Sequence, residues 1–156
     1  MTNQAEETRK PYPQPIYNND DLIAASRWFG SPFFNKETMR FFRSRLIDVT
    51  YTIPGGVCVF ITSERFTSTF RNDPRRYTVR TFNTMTGEID EVGEFQQHAT
   101  LYQARKAWKA ETERINQDPE ISARVHAWVE ARRVDQEKRN QYYAEREARF
   151  QARQAQ

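Results

Sequence analysis

The chain is poor in the residue types from which most metal and catalytic sites are assembled: 156 residues include one cysteine and two histidines. A lone cysteine excludes a disulfide within the chain, and with two histidines it leaves too few soft ligands for a structural zinc set. That cysteine, Cys58, lies inside the apolar run VCVFI and is expected to be a small buried hydrophobe. His126 and Glu130 share helical i,i+4 spacing, but two groups do not make a metal site. The five glycines form no Walker A loop, no dinucleotide-binding pattern and no nucleophile elbow. No stretch nears the ~20 apolar residues of a membrane helix, and the first fifteen residues lack the apolar centre of a signal peptide. A soluble chain with no membrane contact is therefore expected, with no enzyme activity, cofactor, metal or catalytic residue.

One-signed charge is lacking too. Lysine and arginine total 24 against 21 acids, for a net charge of +3, and no segment is a solid basic block. Hydrophobic residues reach only 37%, against about 45–50% in typical globular domains. Aromatics, at 13%, offset the deficit because each ring buries a large area. A small domain with polar attachments accounts for both values.

The strongest pattern runs from Arg76 to Trp108. It predicts strand, turn at Thr86-Gly87, strand, then a helix capped by Thr100 with Gln103 three residues on. Leu101, Ala104, Trp108, Thr112 and Ile115 fall on one face of that helix. Upstream, residues 46–53 alternate apolar and polar at a period of two, and Pro54-Gly55-Gly56 marks a tight turn. Residues 57–63 are nearly all apolar and read as a central strand covered on both faces. Residues 88–95 carry Glu88, Asp90, Glu91 and Glu94, which suits an edge strand.

Residues 1–19 hold Pro11, Pro13 and Pro15 and read as a flexible arm whose Tyr12, Ile16 and Tyr17 can dock on the domain. Two short helices are expected next, one opened by Asp20-Asp21 and one by Asn35. Asp118 and Pro119 open a long C-terminal helix. Its apolar stripe thins beyond Ala131, and its apolar positions keep no heptad. The expected fold is α+β: a four-stranded antiparallel meander, with flanking helices on one face and a long C-terminal helical extension. The expected parts are the arm, a core at 20–115 and the helix at 116–156. Trp28, Phe41, Phe42, Leu101 and Trp108 are the expected core anchors.

Two candidate interaction surfaces follow. The first is a set of arginines beside aromatic residues: Arg40, Arg43 and Arg45, then Arg65, Arg71, Arg75, Arg76 and Arg80 in and after a polar loop. Guanidinium groups with rings and hydroxyls between them suit a phosphate backbone or an acidic protein surface. The second is the far part of the C-terminal helix, where Tyr142, Tyr143 and Phe150 are candidate contacts for a partner or for a second copy of the chain.

The residues Trp28-Phe29, the run TMRFF-x-SR at 38–45, Thr62-Ser63-Glu64, Tyr77-Thr78-Val79-Arg80 and Gly93-Glu94-Phe95-Gln96 resemble a family of small uncharacterised bacteriophage proteins. The motifs cover under half of the chain. The resemblance implies an accessory protein in the bacterial host cytoplasm, of a class that often binds and inhibits a host protein or ribonucleoprotein. A defence nuclease of CRISPR or other type is one such target. Residues 77–108 are also similar to AP2-type DNA-binding modules, with Arg80 and Arg76 as matching cations and the acidic fourth strand as a departure. A nucleic-acid-binding module is the alternative expectation, and a virion structural or assembly protein the third.

Overall fold

The computed structural model describes residues 11–42, 45–64 and 74–156, with only the backbone of Phe41 and Phe42. Arg43, Arg65 and Arg71 lie outside the described residues, and so do the side chains of the two expected anchors Phe41 and Phe42.

Four antiparallel strands form one sheet in chain order: β1 (Leu46–Ile47), β2 (Val57–Glu64), β3 (Arg76–Asn83) and β4 (Ile89–Val92). Helices α1 (Asn19–Trp28) and α2 (Lys36–Phe42) precede the sheet, and α3 (Leu101–Gln117) and α4 (Pro119–Gln154) follow it. The expected α+β meander and long C-terminal helix are both present.

β2 explains the layering. Its neighbours along the strand point to opposite faces, and both sets are apolar. Cys58 and Phe60 join Phe82, Leu22, Ala25, Phe34 and Ile16 in a core beneath α1. Val59 and Ile61 join Val79, Ala104 and Ile115 in a second core beneath α3. Helices thus cover both faces, which corrects the expectation of one. An apolar central strand cannot leave a face to water.

Two further expectations need correction, at residues 46–53 and at Trp28, while the docking expected of Tyr12 and Ile16 is present. The strand foreseen over residues 46–53 keeps ladder register with β2 only at Leu46 and Ile47, with a further backbone bond from the Thr50 amide to the Val59 carbonyl at 3.0 Å. Asp48 turns to a φ of 53°, after which the Thr50 hydroxyl accepts from the Val59 amide at 2.9 Å. Thr52 then exchanges backbone bonds of 2.7 and 3.0 Å with Ile16. The 1–19 arm is therefore docked over its described part. Ile16 is fully buried, and the Tyr12 amide donates to the Thr84 carbonyl at 2.8 Å. Finally, Trp28 is 56% exposed and anchors no core. The inward stripe of α1 is Leu22, Ala25 and Ser26 followed by Phe29, whose ring lies 6.0 Å from that of Phe82.

The capping signals are realised. Thr100 accepts from the Gln103 amide at 3.2 Å, and Asn35 from the Thr38 amide at 2.8 Å. Asp118 accepts from the amides of Glu120 and Ile121 at 2.9 and 3.1 Å, with Pro119 behind it. Among the described residues no helix is long and apolar enough to cross a membrane.

Candidate functional site

The core beneath α1 changes character along the sheet. Cys58, Phe60 and Phe82 give way to Thr62, Glu64, Thr78 and Arg80, which share that face because every second residue does. Glu64 is fully buried and Arg80 is 5% exposed. Arg80 Nη2 lies 3.8 Å from Glu64 Oε1, and its Nη1 lies 3.5 Å from Oε1 of Glu91 on β4. Its Nε donates to the Thr62 hydroxyl at 3.0 Å. The guanidinium carbon sits 5.2 Å from the Phe33 ring centre and 5.7 Å from that of Phe95, within cation–π range.

The Thr78 hydroxyl donates to Glu64 Oε1 at 2.5 Å and accepts from the Gln96 amide at 2.8 Å. Glu64 Oε2 and Gln96 Nε2 are buried without a hydrogen-bond partner among the described residues. Burial pushes the Glu64 carboxyl above its usual range, against the Thr78 hydrogen bond and the Arg80 charge, which hold it down. Burial also lowers Arg80, and Glu64 and Glu91 oppose that. This is a closed polar junction, with its cation turned inward.

Among the described arginines of the first candidate surface, Arg75 and Arg76 are held by the protein's own groups. Arg75 donates to the Ser63 hydroxyl at 3.1 Å and to the Ser63 carbonyl at 3.3 Å. Arg76 donates to the carbonyls of Gln96 and Gln97 at 2.7 and 3.1 Å, pinning the β4–α3 connection. Arg40 and Arg45 are exposed. Cys58 is buried, and burial raises its thiol. His126 is exposed, whereas His98 Nε2 is buried without a hydrogen-bond partner among the described residues. No cluster of three metal-ligating side chains occurs among the described residues.

The second candidate surface is exposed along its length. α4 begins against the domain: Arg124 Nε donates to the Gly55 carbonyl at 3.1 Å. Ile121 and Val125 line a cleft of about 200 Å³ with Thr52, Val57 and Ile115. From residue 131 onward every side chain is exposed. Over its 36 residues the helix extends about 54 Å at 1.5 Å per residue. Tyr142, Tyr143 and Phe150 are 58, 61 and 57% exposed.

Sequence reasoning missed two sets of residues. Glu64 is absent from the sequence-based candidates, though an acid ending an apolar strand and an arginine on the next strand are a signal for a buried pair. Arg132, Arg139, Arg146 and Arg153 recur every seven residues, a period carried by charged side chains that apolar patterning does not reveal.

No curated protein and no solved structure matches the chain. A family match covers residues 22–109, which span the sheet, the buried Glu64–Arg80 junction and half of α3, and stop before α4. By that match over more than half of its length, the chain belongs to DUF7447, a family of unknown function.

Proposed function

We propose that this chain is a non-catalytic binding protein that uses α4 beyond Ala131 to occupy a partner protein. One observation carries this reading: a helix with three large aromatic side chains more than half exposed, in a stretch where every side chain from residue 131 onward is exposed among the described residues. Most helical stability in proteins comes from packing an apolar face against other elements. A surface of this kind gains stability when covered. The phage-like motifs at 28–45, 62–64, 77–80 and 93–96 favour a bacterial host as the setting. There the chain acts by occlusion of a host protein or ribonucleoprotein, a defence nuclease being the leading class.

The test is capture from bacterial lysate by the full chain and by a chain ending at Ala131, each with and without nuclease treatment. A protein retained by the full chain after nuclease treatment and lost on truncation is the expected result. Equal capture by both chains overturns the reading. Exposed Arg40 and Arg45 favour a second reading, direct nucleic-acid binding, which predicts loss after nuclease treatment and a steep log-linear fall with salt.

A further inference from the structure

We propose that the docking face of α4 is its row of heptad-spaced arginines, Arg132, Arg139, Arg146 and Arg153, and that it receives an acidic amphipathic helix of a partner protein. The inference rests on the partner-binding reading above and names the chemistry of the partner.

The row continues the line of Val125, which packs against the domain at the root of the helix. Residues seven apart drift only ~20° around a helix, so the four guanidinium groups share one side, spaced about 10.5 Å along the axis. Ion pairing separates them from their neighbours. Arg133 engages Glu130 and Glu137, both at 2.5 Å, and Arg149 lies 3.7 Å from Glu145. None of the four row arginines has a carboxylate within ion-pairing distance among the described residues. Arg132 lies over the Trp128 ring at 5.1 Å. Its charge also opposes the rise of the Tyr51 hydroxyl, which desolvation and Tyr17 push up.

Rings alternate with the cations. Trp128, Arg132, Asp135 and Arg139 line one crevice. Tyr142, Phe150, Arg146 and Arg153 line the next with Arg149. Arginine and aromatic side chains dominate the energetics of protein interfaces, and a spacing of seven matches the repeat of a facing helix. Carboxylates on that helix would meet each guanidinium as a charge-assisted pair.

A second copy of the chain is disfavoured, because its row would set like charges opposite each other. A polyanion is disfavoured by the acids around the row: Glu145 and Glu147 adjoin Arg146 in sequence, and Glu130 and Glu137 lie on the opposite side of the helix. Phosphates on either side of the helix would meet those acids.

The test uses the full chain and labelled synthetic helical peptides of about four heptads, read by fluorescence anisotropy. One peptide carries glutamates on its facing positions, one lysines, one glutamines, and duplex RNA is the fourth probe. The acidic peptide should bind about tenfold tighter than the glutamine peptide, as expected for four exposed ion pairs. The variant Arg132→Glu/Arg139→Glu/Arg146→Glu/Arg153→Glu should reverse the order and prefer the lysine peptide, with helix content unchanged by circular dichroism. Equal binding of the acidic and glutamine peptides would overturn the inference while leaving the partner-binding reading intact. Binding of none of the peptides overturns it too, and the lysate truncation then judges the reading separately. Tighter binding of duplex RNA would overturn both.

Discussion

Arg80 and Glu64 stand on adjacent antiparallel strands with guanidinium and carboxylate 3.8 Å apart, both withdrawn from solvent. Two charges removed from water are costly, and only their mutual attraction and surrounding hydrogen bonds offset that cost. Thr62, Thr78 and Glu91 supply those bonds, and Phe33 and Phe95 flank the cation.

Arg80→Met should therefore destabilise the chain by about 3–5 kcal/mol near pH 8, because it leaves a buried acid without its counter-charge. Adding Glu64→Leu should recover most of the loss. Urea unfolding of the single and double variants measures both. Similar stability of the two variants would show that the pair is not coupled.

Burial raises the Glu64 carboxyl in the folded chain, so the native state holds that proton more tightly than the unfolded chain does. The stabilising contribution is complete below the ordinary glutamate value of about 4.3 and is lost as pH rises through the raised native value. Wild type should thus lose stability relative to Glu64→Gln as pH climbs from about 4.3 through the raised native value, and no further above it. Urea midpoints of both proteins across this window test the sign.

Gly87 and Gly30 both have a φ of +76° but differ in their surroundings. A Cβ on Gly87 would come within 2.3 Å of the Phe29 ring, whereas one on Gly30 meets nothing within 4 Å. Gly30→Ala should cost about 1–2 kcal/mol for the backbone alone. Gly87→Ala should cost about 1–3 kcal/mol more, as Phe29 is forced from its place beside Phe82. Thermal unfolding of the two variants gives the comparison.

Truncation after Ala131 should change domain stability by no more than about 0.5 kcal/mol, because every residue beyond 130 is exposed. A larger drop in thermal midpoint would mean that the far helix supports its own domain.

Cys58 should resist alkylation in the native chain and react at the rate of global opening. It is fully buried, and burial raises its thiol. Rapid modification at neutral pH under native conditions would contradict that placement.

Short-range chemistry alone determined the helix starts at Asn35, Thr100 and Asp118, the reversal at Gly87, the central place of β2 and the long final helix. In each case the cause lies within a few residues: a side-chain oxygen aimed at free amides, a glycine at positive φ, or an unbroken apolar run. The packed structure decided the rest. Period two sets Arg80 beside Phe82 on one face of β3, but the covering helices, Phe33 and Phe95 make that face an interior. Trp28 and Phe29 are equally apolar neighbours, and only the angle at which α1 meets the sheet turned Phe29 inward. The arginine spacing on α4 is written in the chain, yet its side was set where Val125 and Arg124 meet the turn at Gly55 and Gly56. Contacts between residues far apart in sequence carry no local signature, and so the inward cation and the outward row both emerged from packing.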